Sequence, residues 1–289
     1  MMISVFIDLF PSGLQQGLLL AIVATGIAIA FRLLNFADLT PEGTYTLGGS
    51  VYASLIILGV NPILATATAV LFGGLIGIIT AFLHIRLKID TLLAGIILST
   101  MLYSVNLRLM GKPNIALFDQ PSLFSCFSQT LLLKISILLL ICLIIAALSY
   151  FFLSTEKGLR FRSVGLNPEF AEKQGTNVNL YIMLGLFAGN ALASLAGSLT
   201  VQIQEYADIG MGIGIVIHAL AALMIGESVI GTDSMHKVVG APIIGALIYQ
   251  QIQGLALAIG FAPSDLKLVT GFIVLITLGC KAARRESKL

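Results

Sequence analysis

The stretch L-L-L-K-I-S-I-L-L-L-I-C-L-I-I-A-A-L-S-Y-F-F-L (131–153), continuing as S-T-E-K-G-L-R-F-R-S-V-G-L-N-P-E-F-A-E-K-Q-G-T-N-V-N (154–179) and then L-Y-I-M-L-G-L-F-A-G-N-A-L-A-S-L-A-G-S-L-T-V-Q-I (180–203), decides the fold. The two flanks are apolar runs long enough to cross hydrocarbon as helices, which takes about 20 residues. The middle segment carries seven charged side chains, so hydrocarbon would expel it into water. The chain therefore crosses a membrane, emerges, and crosses back.

The same reading extends outward. Of 289 residues, 57% are hydrophobic and 10% charged, against about 25% charged in a soluble domain. Mean hydropathy is +1.01. Nine segments qualify as spans: roughly 12–34, 42–60, 62–83, 91–110, 131–153, 180–203, 211–230, 238–258 and 265–281. Backbone groups in lipid must bond internally, and no strand-like alternation suits a barrel. The expected fold is an all-α, polytopic transmembrane helix bundle of about 8–10 spans, forming one domain over 1–289 with a polar loop at 154–179. The weak point is Asn35 to Gly43, which reads either as an aqueous turn or as a break embedded in the membrane. No Lys or Arg precedes Arg32, so the first apolar segment lacks the basic start of a cleaved signal and reads as retained.

Lysine and arginine concentrate on the cytoplasmic side of membrane proteins. With the N-terminus outside and the C-terminus inside, Arg32, Arg86, Lys88, Lys157, Arg160, Arg162, Lys173, Lys237, Lys281, Arg284, Arg285 and Lys288 lie inside. Only Arg108, Lys112, Lys134 and Lys267 lie outside. The polar loop is then cytoplasmic, and the 111–130 loop and Glu205/Asp208 are external. A net charge of +2 without like-charge blocks gives no footprint for nucleic acid. Cys126, Cys142 and Cys280 have no metal or redox spacing, and Cys142 reads as a core residue.

Small residues recur every four positions in two spans: Ala65, Ala69, Gly73, Gly77, Ala81, and Gly185, Gly189, Ala193, Gly197. Each set makes a stripe on one helix face, suited to close helix packing; lining a solute path is the alternative. Phe36-Ala37-Asp38-Leu39 is echoed by Tyr206-Ala207-Asp208-Ile209. An inverted internal repeat, common in transporters, and chance both account for four residues.

Ionisable groups at membrane depth are costly and often functional. Asn35, Asp38 and Glu42 flank a break at Pro41, and serve either a translocation pathway or helix capping. His218 and Asn190 fall mid-span; a buried, hydrogen-bonded histidine is the plainer reading of His218. Asn106, Gln250, Gln251 and Gln253 add uncharged polarity. No proton-relay chain, phosphate-binding loop or hydrolase motif appears. The chain reads as no enzyme, without cofactor or metal, and any ATP it uses is bound by another chain. Within the polar loop, Asn167-Pro168-Glu169 is a helix start and Gly175 a stop. This predicts a two-turn helix, Pro168 to Gln174, either linker or contact element.

Gly158 to Gly175, G-L-R-F-R-S-V-G-L-N-P-E-F-A-E-K-Q-G, resembles the cytoplasmic coupling loop of ABC-importer permeases of the branched-chain amino acid type, roughly G-x-x-x-R-A-x-G-x-N-x-x-A-A-x-x-x-G. Gly17 to Tyr52, with its N-F-A-D and G-T-Y, is similar to the family's G…G…N-F-A-H-G…G-x-Y segment. Asp38 stands where the family commonly has His, and Thr40-Pro41-Glu42 replaces a small or apolar run. The stretch from Asn106 to Phe118 looks closer to a subgroup working with amino-acid or aromatic-amino-acid binding proteins. The resemblance implies a permease subunit of an ATP-driven importer for an amino acid or similar small solute, in the bacterial inner membrane. It implies as partners two cytoplasmic ATPases, an external substrate-binding protein and a second permease subunit, alike or related. It also implies ATPase coupling through Gly158, Arg160, Arg162, Asn167, Pro168, Glu169, Phe170, Ala171 and Gly175. A permease for a sugar or nucleoside, a stand-alone secondary transporter and a structural membrane subunit are the alternatives.

Overall fold

The computed structural model describes residues 2–125 and 130–262 and, beyond them, 265–266, 268–273, 275 and 279. Helix α1 (Met2–Ile27) runs into a π-helical turn, Ala28–Leu33. After a break without helix or strand come α2 (Pro41–Ile57), α3 (Pro62–Leu87) and α4 (Thr91–Met110). Then follow α5 (Leu131–Ser154), α6 (Glu156–Leu166), α7 (Pro168–Lys173), α8 (Val178–Gln204), α9 (Ile215–Ile230) and α10 (Met235–Ile259). The boundaries follow from local chemistry. Asn61 Oδ1 accepts the Ile63 N–H at 2.9 Å, with Pro62 opening α3. Asp90 Oδ1 accepts from Leu92 at 3.0 Å to start α4.

Among the described residues, six helices are long and apolar enough to cross a membrane: α1 with its π turn, α3, α4, α5, α8 and α10. The shorter α2 and α9 have 17 and 16 residues. Eight of the nine expected spans coincide with these helices. The ninth, 265–281, lies only in part within the described residues. Cys126, Cys280, Lys267, Lys281, Arg284, Arg285 and Lys288 lie outside them.

The chain divides into two compact units. The larger comprises Thr25–Gln129 and Phe152–Val216 and is organised on α8. Both small-residue stripes are buried, and they face different neighbours. A Cβ at Gly73 would run into Ser194 Cβ, and one at Gly77 into the Leu186 carbonyl, so the α3 stripe lies directly on α8. Gly197 of the α8 stripe instead meets the Tyr45 carbonyl of α2, and Gly189 meets Gly26. Without a hydrophobic force in lipid, such backbone approach maximises dispersion contact. Ser194 Oγ adds a bond to the Ala69 carbonyl at 2.7 Å, and Tyr45 OH one to Thr200 Oγ1 at 2.7 Å.

At one end of this unit, Phe36 packs edge-on to His84 at 5.2 Å, and Gly165 lies against the Leu33 carbonyl. At the other, Asn114–Ala116 (β1) pairs antiparallel with Tyr206–Asp208 (β2), joining Asn114 to Asp208 and Ala116 to Tyr206. This ribbon was not anticipated; the fold class stays all-α. Glu205, at φ +60°, ends α8 and turns the chain into β2.

The smaller unit comprises Met1–Ala24, Thr130–Phe151 and Ile217–Leu289. Cys142 is buried and its Sγ reaches the Leu18 carbonyl at 3.3 Å, a core residue as read. Gly226 of α9 abuts the Ala241 carbonyl of α10, and Gly245 abuts Ala222. Tyr249 OH and Thr270 Oγ1 bond at 2.7 Å.

Gly77→Ala is expected to destabilise the protein by about 1–3 kcal/mol, the usual range for overpacking. Gly254→Ala, with no heavy atom within 4 Å of the new Cβ, should not be destabilising. Denaturation midpoints in detergent compare the two.

Candidate functional site

The polar segment folds as two helices. Thr155 Oγ1 accepts the Gly158 N–H at 3.2 Å, starting α6. Gly158, Phe161 and Val164 are buried on one face of it. Gly158 sits against the Phe152 carbonyl and Leu153. Phe161 packs edge-on to Phe152 at 5.8 Å and to Tyr181 at 6.3 Å. Asn167 ends α6 and caps α7, its Oδ1 accepting the Phe170 N–H at 3.0 Å. Gly175, at φ +75°, donates to Glu172 O, and Thr176 N–H returns to Ala171 O at 3.0 Å. This is the left-handed stop that glycine supplies without steric cost. The expected helix Pro168–Gln174 is observed as Pro168–Lys173.

The residues singled out in this segment divide by exposure. Gly158 and Ala171 are buried and anchor the pair of helices. Arg160, Asn167, Pro168, Glu169, Phe170 and Gly175 are exposed. Phe170 is 55% and the neighbouring Leu166 88% exposed, so two large apolar side chains stand out from the tip. Arg162 is half-buried, and its Nε has no hydrogen-bond partner among the described residues. Sequence reasoning missed α6; its signal was the 158, 161, 164/165 spacing of Gly158, Phe161, Val164 and Gly165, one face at the helical period.

The second polar constellation is interior. Asn35, at φ +53°, stops the π turn while Phe36 N–H reaches back to Ala30 O at 2.9 Å. Asn tolerates this left-handed conformation better than most residues. The chain then runs without helix or strand, burying Phe36, Asp38 and Thr40 in alternation. Asp38 is 1% exposed. Its Oδ1 accepts the Thr40 N–H at 2.8 Å, and its Oδ2 accepts Asn190 Nδ2 at 2.8 Å. Asn190 lies midway along α8; its Oδ1 accepts Thr44 Oγ1 at 2.9 Å. Thr40 and Thr80 hydroxyls bond at 3.0 Å. The break is thus embedded among α3, α4 and α8, with Gly95 against Leu39. Non-helical backbone at membrane depth is tolerated only when buried in protein. Asp208 repeats the Asp38 turn, its Oδ1 accepting Gly210 N–H at 2.8 Å, so the sequence echo shares local geometry.

Glu42 stands in the first turn of α2, where Oε1 accepts Gly214 N–H at 3.2 Å. It lines a cavity of ≈ 270 Å³ with Thr46, Ser99, Thr100, Tyr103 and Asn106. The structure thus joins Asp38 to Asn190 and sets Glu42 on the same helix start. Asn35 is exposed at the helix stop. His218 belongs to the smaller unit, its ring 5.9 Å from Tyr249.

The model of the family described as branched-chain amino acid transport system / permease component matches residues 10–278. The chain belongs to that family. The permease is similar to the tyrosine transport system permease protein of Clostridioides difficile (strain R20291), 37% identical over 92% of this chain and 89% of that one. It is also similar to the ribose import permease protein RbsC of Escherichia coli (strain K12), 28% identical over 81% of this chain and 73% of that one. Among solved structures, PsaBC from Streptococcus pneumoniae in complex with Fab aligns over 92% of this chain and 99% of that one, at TM-score 0.48 and 15% identity. The permease is a multi-pass membrane protein of ABC-transporter type, and ATP hydrolysis belongs to a separate ATPase.

Asn190→Ala strips a partner from both Asp38 and Thr44. The expected loss is about 1–3 kcal/mol for each buried polar group left unsatisfied. Asp38→Ala combined with Asn190→Ala should cost less than the two singly, with a coupling of about 0.5–3 kcal/mol, read by thermal unfolding of all four proteins.

Proposed function

We propose that this permease moves an amino acid across the bacterial inner membrane by alternating access, driven by two cytoplasmic ABC ATPases that grip the α6–α7 pair. The observation that carries the coupling role is the tip of that pair: Leu166 at the end of α6 and Phe170 in α7 are both exposed, on a base pinned by buried Phe161 and Val164. A six-residue helix is too short to persist alone; α6 supplies the rigid mount. A large aromatic beside a charged rim matches the makeup of protein-interface hot spots. Arg162, with its buried Nε unpartnered, offers a donor to an incoming acceptor. Gly158 and Ala171 hold the mount, while Arg160, Asn167, Pro168, Glu169, Phe170 and Gly175 form the contacting surface.

The preference for an amino acid rests on the tyrosine permease relative, more similar and more fully covered than the ribose permease. Solute would arrive from an external binding protein, and a second permease subunit would complete the path. Asn35, Asp38, Glu42, Asn190 and His218 remain the proposed pathway set; Asp38 and Asn190 act in it as the pin holding the start of α2. The proposed orientation has the N-terminus outside and the C-terminus in the cytoplasm. Its support is the grouping of residues 33–36, 84 and 165 at one end of the larger unit and 113–117 with 205–209 at the other, the same partition that the Lys/Arg count requires.

Phe170→Asp should weaken co-purification with the cognate ATPase by about 2 kcal/mol or more, as for an interface hot spot. Its unfolding midpoint should hardly move, because surface substitutions usually stay within about 0.5 kcal/mol. Full retention of the ATPase by this variant counts against docking at α7. Single cysteines at exposed Gln120 and Glu172 test the orientation: an impermeant thiol reagent added to intact cells should label the first and not the second.

A further inference from the structure

The cavity bordered by Glu42 has an unusual balance of hydrogen-bonding groups. It lies against the middle of α4, where Ser99, Thr100, Tyr103 and Asn106 line it, and Glu42 and Thr46 of α2 close the other side. Among the described residues, no Lys, Arg or His lines it. Glu42 has one backbone partner, Gly214 N–H at 3.2 Å. Asn106 is 1% exposed; its Nδ2 donates to the Gly43 carbonyl at 3.3 Å, and its Oδ1 is buried with no partner among the described residues. Flipping the amide would set oxygen against the Gly43 carbonyl, so the acceptor belongs where it is. The hydroxyls of Ser99 and Thr100 donate to the Ile96 carbonyl at 3.0 and 2.8 Å, and Thr46 Oγ1 to the Glu42 carbonyl. The lining therefore presents a carboxylate, with the buried Asn106 Oδ1 on a lining residue, while three of its hydroxyl hydrogens are already directed into helix backbone. A buried acceptor without a donor calls for a reason, and so does a carboxylate at membrane depth without a cation among the described residues.

We propose that this cavity is the station where the permease recognises the ammonium group of its solute, with the Glu42 carboxylate as counter-charge. The assignment rests on the amino-acid reading above and sharpens it: a sugar needs no counter-charge here. A volume of ≈ 270 Å³ falls just under the usual range of ligand pockets, about 300–1,000 Å³, and suits a small solute.

The test uses the whole importer, permease with ATPase and binding protein, in proteoliposomes. The probes are labelled L-tyrosine, labelled ribose, and a pair of methanethiosulfonates, one carrying trimethylammonium and one sulfonate. L-tyrosine uptake should fall at least about tenfold in Glu42→Gln and recover in Glu42→Asp, since a nearby unit charge is worth that much at intermediate dielectric. With the native cysteines replaced by serine, Ser99→Cys should react about tenfold faster with the cationic than with the anionic reagent, normalised to free cysteine. Glu42→Gln should abolish that preference. Undiminished L-tyrosine uptake in Glu42→Gln overturns the ammonium station and leaves amino-acid import standing. Uptake of ribose and no amino acid by the unaltered importer overturns both. If Glu42→Gln fails to accumulate, Ser99→Cys with Glu42 in place still decides: equal reaction with the two reagents, or none with either, overturns the proposal.

Discussion

A backbone N–H or carbonyl without a partner in hydrocarbon costs several kcal/mol, and the larger unit is arranged around a place where the chain leaves the helix among its buried helices. Between the π turn and α2 the backbone of Asn35–Thr40 is neither helix nor strand. Asp38 takes the Thr40 N–H and is itself held by Asn190, which also receives Thr44. A carboxylate this deeply buried is tolerable only with such satisfied bonds. Because Asn190 lies midway along α8, α2 begins at that level. This accounts for a helix of 17 residues where a full crossing needs about 20.

Small residues make the arrangement compact. The α3 stripe rests on the Leu186–Ser194 face of α8, and the α8 stripe rests on α2 and on Gly26. One helix thereby carries two close interfaces on adjoining faces. The polar segment meets the interior through Gly165 on Leu33 and Phe161 on Tyr181, both direct van der Waals contacts. Glu42 follows the Asp38 pin by four residues, so the proposed solute station and the proposed ATPase contact both belong to the larger unit.

Much of the fold was legible because membrane spans announce themselves by length and apolarity alone. The expected span, roughly 91–110, coincides with α4, which Asp90 caps and Gly111 ends. The stop at Gly175 and the cap at Asn167 were readable as local signals. Less legible was α6, whose charged residues overwhelm its four inward positions in any average. The β1–β2 ribbon was illegible: three-residue strands separated by 89 intervening residues carry no period, and they form only because α8 delivers Tyr206–Asp208 beside Asn114–Ala116. Asn35, Asp38 and Glu42 read as equivalent candidates from sequence. The structure separates them into a helix stop, a buried pin and a cavity wall.

By itself the sequence determined that the protein crosses a membrane repeatedly as helices, where most of those helices begin and end, and which segment must sit in water. Those properties follow from transfer free energy and from caps acting over a few residues. Tertiary structure alone decided which neighbour each small-residue stripe meets, that Asp38 is held by a residue 152 positions away, and that Glu42 and Asn106 border one cavity. Such pairings depend on how helices cross, and in lipid that is set by surface shape and hydrogen-bond geometry rather than by the hydrophobicity a sequence displays.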